Sequence, residues 1–260
     1  MSGQRTRTPR RPELSQHFLR SGALAASLVA HSSVSRDDLV VEIGPGRGLL
    51  TYALAQCASR VIAVEIDAGL ADELQTGSRS NIDVVTGDFL SYPPPSRPHK
   101  VFANLPFART AEIVRRLTET PTLTEAYLVI QREAAERFAG HPYVSETTRS
   151  LSLKPWWHVE IVRRLRRTDF EPVPNVDAVL LWLLRRDKPL IQEGEGDTYL
   201  RFLNSQLGKT STVRKALRNL FTHNQVRRLA SDLRFSLDAR PSELSFEQWL
   251  GVYRFHAIDR

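Results

Sequence analysis

Three short stretches carry residue types that could do chemistry together. The first is Asn104-Leu105-Pro106-Phe107, which closes the apolar run KVFA. Asn104 can accept one hydrogen bond through its amide oxygen, and the Leu105 carbonyl can accept a second. Pro106 fixes φ and biases Leu105 toward extended backbone, which aims that carbonyl outward. Phe107 offers a flat face for a planar heterocycle. Two acceptors beside a ring suit an exocyclic amino group held with its lone pair toward an electrophile. By itself the stretch implies amino-group methylation, in a nucleobase or a glutamine-like amide. The competing reading of Asn104 is a turn residue that caps a helix.

The second stretch is VVEIGPGRG (40–48), with glycines at 44, 46 and 48. A nicotinamide fingerprint needs G-x-G-x-x-G, and Leu49 breaks that spacing. Glu42 stands two residues before the first glycine, where it would repel a pyrophosphate but could hold a cation. S-adenosylmethionine (SAM) fits this loop. It has no phosphate, and it carries a sulfonium and an α-ammonium. The third stretch is a pair of acidic strand ends. Glu65, followed by Ile66, can accept both ribose hydroxyl protons. Asp88 can accept from the adenine amino group, with Phe89 flanking the ring. A Gly-rich turn alone could be a tight βα connection. Acidic residues at or near three successive strand ends argue for a ligand site, because ligands bind at that edge of an open α/β sheet.

These residues need elements to position them. Apolar strands and helical segments alternate: strand 39–44, helix 48–57, strand 60–67, helix 68–75, strand 81–88, strand 100–105, helix 110–117, strand 125–131 and helix 132–139. Helical spacing also covers 21–34. Repeated βα units with continuous apolar strands predict a parallel sheet covered on both faces, an α/β fold. Segments 159–165 and 178–186 lack a crossover helix and read as an antiparallel pair at one side of that sheet. A polar, Gly-bearing linker follows at 192–197, and the remainder is helical. Ser245 and Gln248 read as a capping box, with Leu244 and Trp249 as a hydrophobic staple. The expected division is a disordered basic tail over 1–13, a catalytic domain over 14–190 and a small helical domain over 191–260.

Composition narrows the class. The chain has 260 residues, one cysteine (Cys57) and no run long enough to span a membrane. That leaves no disulfide framework and no cysteine-based metal site, and no signal peptide is visible; a cytoplasmic location is the expectation. The net charge of +7 is uneven: +4 over 1–20, −3 over 21–144, +2 over 145–185 and +4 over 186–260. Basic ends suggest a polyanion partner, most often nucleic acid. Of the 36 basic residues 31 are Arg, so codon bias is the plainer alternative.

The motifs together resemble the rRNA adenine N6-methyltransferases. SQHFL (15–19), EIGPGRG, GDF, NLPF and DFEPVPNVDA (169–178) are similar to five of that family's motifs, in order and spanning most of the chain. LKPWWHVEIVRRLRRTDFEPVP and RPSELSFEQWL look closer to the Erm branch than to the housekeeping small-subunit dimethyltransferases. The resemblance implies a Rossmann-like class I SAM-dependent sheet with a small C-terminal helical domain. It also implies methylation of one 23S rRNA adenine at N6, with resistance to macrolide, lincosamide and streptogramin B antibiotics. The substrate would be 23S rRNA before ribosome assembly is complete, and the enzyme a monomer. The alternatives are a 16S dimethyltransferase or a nucleic-acid-binding relative without catalysis. The cofactor residues it implies are Gln16, His17, Leu19, Gly44, Gly46, Glu65, Ile66, Asp88, Phe89 and Asn104. Leu105, Pro106, Phe107 and Phe170 would serve the target base, Phe170 as a second aromatic wall or else as core packing. His17 departs from the family's usual Asn, and Ala178 from its Ser.

Charge would hold the RNA. Arg5, Arg7, Arg10 and Arg11 suit loose phosphate contacts, and Lys209, Arg214, Lys215 and Arg218 form a basic helical patch. Arg163, Arg164, Arg166 and Arg167 form a run on one candidate strand. Alternation puts Arg163 and Arg167 on one face and Arg164 and Arg166 on the other, so a solvated edge competes with an RNA contact.

Overall fold

The computed structural model describes residues 17–77, 79–192, 194–207 and 212–258. Arg5, Arg7, Arg10, Arg11, Gln16 and Lys209 lie outside the described residues, as does the expected tail over 1–13. In chain order the elements are β1 (Phe18–Leu19), α1 (Gly22–Ala30), β2 (Leu39–Ile43), α2 (Leu49–Cys57), β3 (Arg60–Glu65), α3 (Ala68–Thr76), β4 (Ile82–Thr86), β5 (His99–Asn104) and α4 (Thr110–Thr118). They continue with β6 (Leu123–Gln131), α5 (Arg132–Ala139), α6 (Thr148–Leu153), β7 (Trp157–Leu165), β8 (Phe170–Glu171) and β9 (Ala178–Arg185). Four helices close the chain: α7 (Gly196–Leu207), α8 (Val213–Leu217), α9 (His223–Asp232) and α10 (Phe246–Ile258).

Seven strands form one sheet in the order β4-β3-β2-β5-β6-β9-β7. The first five are parallel, because each βα unit returns the chain to the same edge. All five residues of β2 are buried, as a strand covered on both faces requires. β9 runs antiparallel to β6, and β7 antiparallel to β9, so the predicted antiparallel pair stands at the sheet's edge. The chain winds outward from β2 through β3 to β4, then returns to place β5 on the other side of β2. That reversal is a topological switch point, and it opens a crevice beyond the carboxyl ends of β2 and β5.

Local chemistry sets the element ends. Gly48 has φ +76°, so α2 starts one residue later than its spacing predicts. Asp67 caps α3 by accepting from the Gly69 and Leu70 amides at 2.9 and 3.2 Å, which stops β3 at Glu65. The capping box at Ser245 and Gln248 forms in both directions, at 2.8 and 3.4 Å, and starts α10. One buried cluster lies on the α1–α2 face of the sheet and a second on the α4–α5 face. A third gathers the C-terminal helices around Trp249, Tyr199 and Phe202, and it also takes in Leu151 of α6. The helical core therefore draws on chain from before residue 191.

Candidate active site

The loop after β2 is held by the end of β3. The Gly44 amide donates to the Val64 carbonyl at 2.9 Å, and the Gly46 amide donates to Glu65 Oε2 at 2.9 Å. Glu65 Oε1 accepts from the Asp67 amide at 3.0 Å, and the whole side chain is buried. Two backbone donors thus fix the carboxylate. Its outer lone pairs have the chemistry to accept further hydroxyl donors, and the neighbouring Ile66 is 43% exposed. Gly46 has φ +55°, and a Cβ there would lie 2.7 Å from the Phe18 ring. Only glycine permits that approach.

Glu42, in β2, is buried, and its Oε2 has no hydrogen-bond partner. Burial first, and then the charge of Glu65, push its pKa up to about 8, against a lowering by the Thr51 hydroxyl, which faces it from α2 outside hydrogen-bonding geometry. Glu42 lines a cavity with Phe18, Leu19, Gly44, Arg47 and Asn104. A buried carboxyl beside a glycine-rich loop suits the cationic amino-acid end of SAM, so the residues present fit that cofactor.

Asp88 lies two residues past β4. Its Oδ1 accepts from the Leu90 amide at 3.0 Å and caps the short helical turn Phe89–Ser91. Its Oδ2 meets the Arg109 guanidinium at 3.1 Å, and Arg109 also reaches Glu112 at 3.4 Å. Arg109 is a site residue that the sequence reading passes over, standing two positions beyond Phe107. Its partner is 21 residues away in the chain, which no local pattern reveals.

Asn104 ends β5, one residue past the Ala103–Ile43 pair with β2 and opposite Val129 of β6. Its Nδ2 donates to the His17 carbonyl at 2.7 Å, which leaves Oδ1 as the acceptor. The Leu105 amide donates to the Val129 carbonyl at 3.0 Å and the Leu105 side chain is buried, so the turn is anchored to β6. Pro106 has φ −63° and ψ 127°. The Phe107 ring lies 5.4 Å from the His17 ring at 31°, and His17 Nδ1 is 2.8 Å from the Pro172 carbonyl. His17 therefore joins three stretches of the site: its own segment, the β5 turn and the segment after β8.

Two expectations change. Phe170 is completely buried, because β8 pairs antiparallel with β1 and turns the ring into the core. Here it is core packing and offers no face to a base. The arginine run is not one alternating strand. The β7–β9 register shifts between Ile161 and Arg163, and β7 ends at Leu165. Arg163 donates to the Ser27 hydroxyl at 2.6 Å, Arg167 pairs with Asp177 at 2.8 Å, and Arg164 and Arg166 are exposed. In the helical part Arg214 meets Asp238 at 3.4 Å, while Arg218 is exposed on the turn that ends α8. Lys215, within α8, is also exposed. Among the described residues no three His, Cys, Asp or Glu side chains converge to hold a metal ion, and no helix is long and apolar enough to cross a membrane.

The sheet order, the glycine loop and the acidic strand ends define a Rossmann-like, SAM-dependent methyltransferase. The profile of the family described as Ribosomal RNA adenine dimethylase matches residues 8–257. An rRNA adenine N-6-methyltransferase of Aeromicrobium erythreum is 37% identical over 195 residues, which is 74% of this chain and 57% of that protein. The Ribosomal RNA small subunit methyltransferase A of Synechococcus elongatus is 29% identical over 263 residues, 94% of each chain. Among solved structures, the 23S rRNA methyltransferase ErmE superposes with a TM-score of 0.85 at 30% identity, covering 91% of this chain and 98% of that one. The chain belongs to the ribosomal RNA adenine dimethylase family.

Proposed function

We propose that this chain methylates N6 of one adenine in 23S rRNA, adding one or two methyl groups, and thereby confers macrolide, lincosamide and streptogramin B resistance. The observation that carries this is the similarity to ErmE over nearly the full length of both chains. Bound SAM supplies an electrophilic methyl group. An adenine amino nitrogen is a poor nucleophile, since its lone pair is delocalised into the ring. The protein's task is thus positioning rather than strong base catalysis. Asn104 Oδ1 accepts one N6 hydrogen, and the Leu105 carbonyl accepts the other. Phe107 stacks on the base, which has to leave its helix to reach it. Gly44, Gly46, Glu65, Ile66, Asp88, Phe89 and Leu19 hold the cofactor, with His17 and Gln16 closing over it. Residues 14–190 form the catalytic domain. Residues 191–260 grip RNA together with the basic tail, acting as a monomer in the cytoplasm before ribosome assembly is complete.

Expression in a drug-susceptible host tests this. The expected result is a primer-extension stop at the 23S adenine and growth on a macrolide and a lincosamide, both lost in Asn104→Ala. Unmodified 23S rRNA in cells holding folded, SAM-binding protein overturns it. The second reading is a 16S dimethyltransferase, favoured by the match that covers 94% of both this chain and the Synechococcus enzyme. Rescue of a strain lacking the 16S modification would select that reading.

A further inference from the structure

Glu42 is the carboxylate in the site that no described contact accounts for. It belongs to β2, where its backbone pairs between Ala63 of β3 and Phe102 of β5, so the sheet fixes the point from which the side chain starts. It is 1% exposed, its Oε2 has no hydrogen-bond partner, and the residue lines a cavity of about 30 Å³, roughly the space of one water. Isolated ionised carboxylates are among the costliest groups to bury, and they usually neutralise instead.

The groups that face Glu42 do not relieve this. From α2 comes the neutral Thr51 hydroxyl, and from β3 the Glu65 carboxylate, which adds like charge. From β5 comes the Asn104 amide, which donates to the His17 carbonyl and makes no hydrogen bond to Glu42 Oε2. Arg47, in the loop, lines the same cavity, yet its guanidinium lies over the Phe18 ring at 5.1 Å and pairs with Glu171 at 3.7 Å. Its side chain is more than half exposed, so solvent weakens its hold on Glu42. The free protein therefore keeps Glu42 as the neutral acid near pH 7.

We propose that Glu42 is a cofactor-binding residue that receives the α-ammonium of SAM and releases its own proton to solvent as the cofactor enters. The step balances simply. The carboxyl O–H bond breaks, the proton passes to buffer, and the resulting carboxylate accepts an N–H of the ammonium. This rests on the SAM reading of the site. Beyond that reading, binding is coupled to the loss of a proton. The sign follows from linkage. An acid protonated in the free protein and ionised in the complex makes binding tighter as pH rises, by up to about tenfold per pH unit, until the free acid itself ionises.

Isothermal titration of the full chain with SAM tests it, in two buffers of different ionisation enthalpy. The pH is set to about 6.5, below the ordinary α-amino range, so the ammonium of SAM does not titrate. The wild type is expected to release close to one proton per SAM bound, and Glu42→Gln close to none, with its fold checked by melting. Isotope-edited infrared spectra of ¹³C-glutamate-labelled wild type give a second readout that needs no variant. A protonated carboxyl band should be present in the free protein and vanish on adding SAM. Binding without proton release, or a band that persists in the complex, overturns the role of Glu42 and leaves the cofactor reading intact. Failure of the wild type to bind SAM at all overturns the cofactor reading itself.

Discussion

On the β2–β4 side of the crevice, backbone holds the site. Glu65 is fixed by two amides, Gly44 is tied to β3, and Asp67 and Asp88 each cap the turn that follows them. On the β5–β8 side the contacts run between side chains and distant segments: Asn104 to the His17 carbonyl, the His17 ring to Phe107, and His17 to Pro172. A small cofactor of constant shape is served by a frame that hardly needs to move. On the function proposed above, a base drawn from folded RNA needs side chains that can part and close again. Recognition that does not change can be built into the sheet, whereas recognition that opens and closes is left to contacts worth only about 1 kcal/mol each.

Substitutions on each side should separate these roles. The largest effect is expected for Asn104→Ala, with methyl transfer falling by at least about 100-fold while the melting temperature barely moves. Single-turnover assays with labelled SAM would measure it, and near-normal transfer would remove Asn104 from the chemistry. Next comes Glu65→Ala, which strands the buried Gly46 amide and the part-buried Asp67 amide. It should cost roughly 1–3 kcal/mol in each of folding and SAM affinity, read by denaturant melts and titration. Phe107→Leu should weaken turnover on RNA by about 1–3 kcal/mol of lost stacking and leave SAM affinity unchanged. If SAM affinity falls equally, the two sides are not independent. The smallest change is expected for Arg109→Ala. Its ion pair with Asp88 is about one-third exposed on each partner, so stability should shift by no more than about 1 kcal/mol. SAM binding should tighten slightly, because Asp88 Oδ2 is then open to the adenine amino group.

The same contrast explains what was readable in the chain. β2 through α5 announce themselves because each strand and helix is a local pattern, and the residues at their ends follow from position alone. Asn104 and the glycine loop are legible for that reason. Phe170 was not, since an aromatic before Glu-Pro reads equally well as a wall or as core, and only its pairing with the distant Leu19 decides. Counting alternation through Arg163–Arg167 failed because a bulge and an early strand end are set by the partner strand β9, not by the run itself. His17 on Phe107 and Arg109 on Asp88 are contacts across the fold, invisible to spacing.

The central claim is the identity of the methylated base. Purified protein given labelled SAM and equal amounts of protein-free 23S and 16S rRNA, followed by nuclease digestion and mass spectrometry, tests it most directly. The expected products are N6-methyladenine or N6,N6-dimethyladenine at one 23S adenine and none above background in 16S. Label confined to 16S rRNA would contradict it.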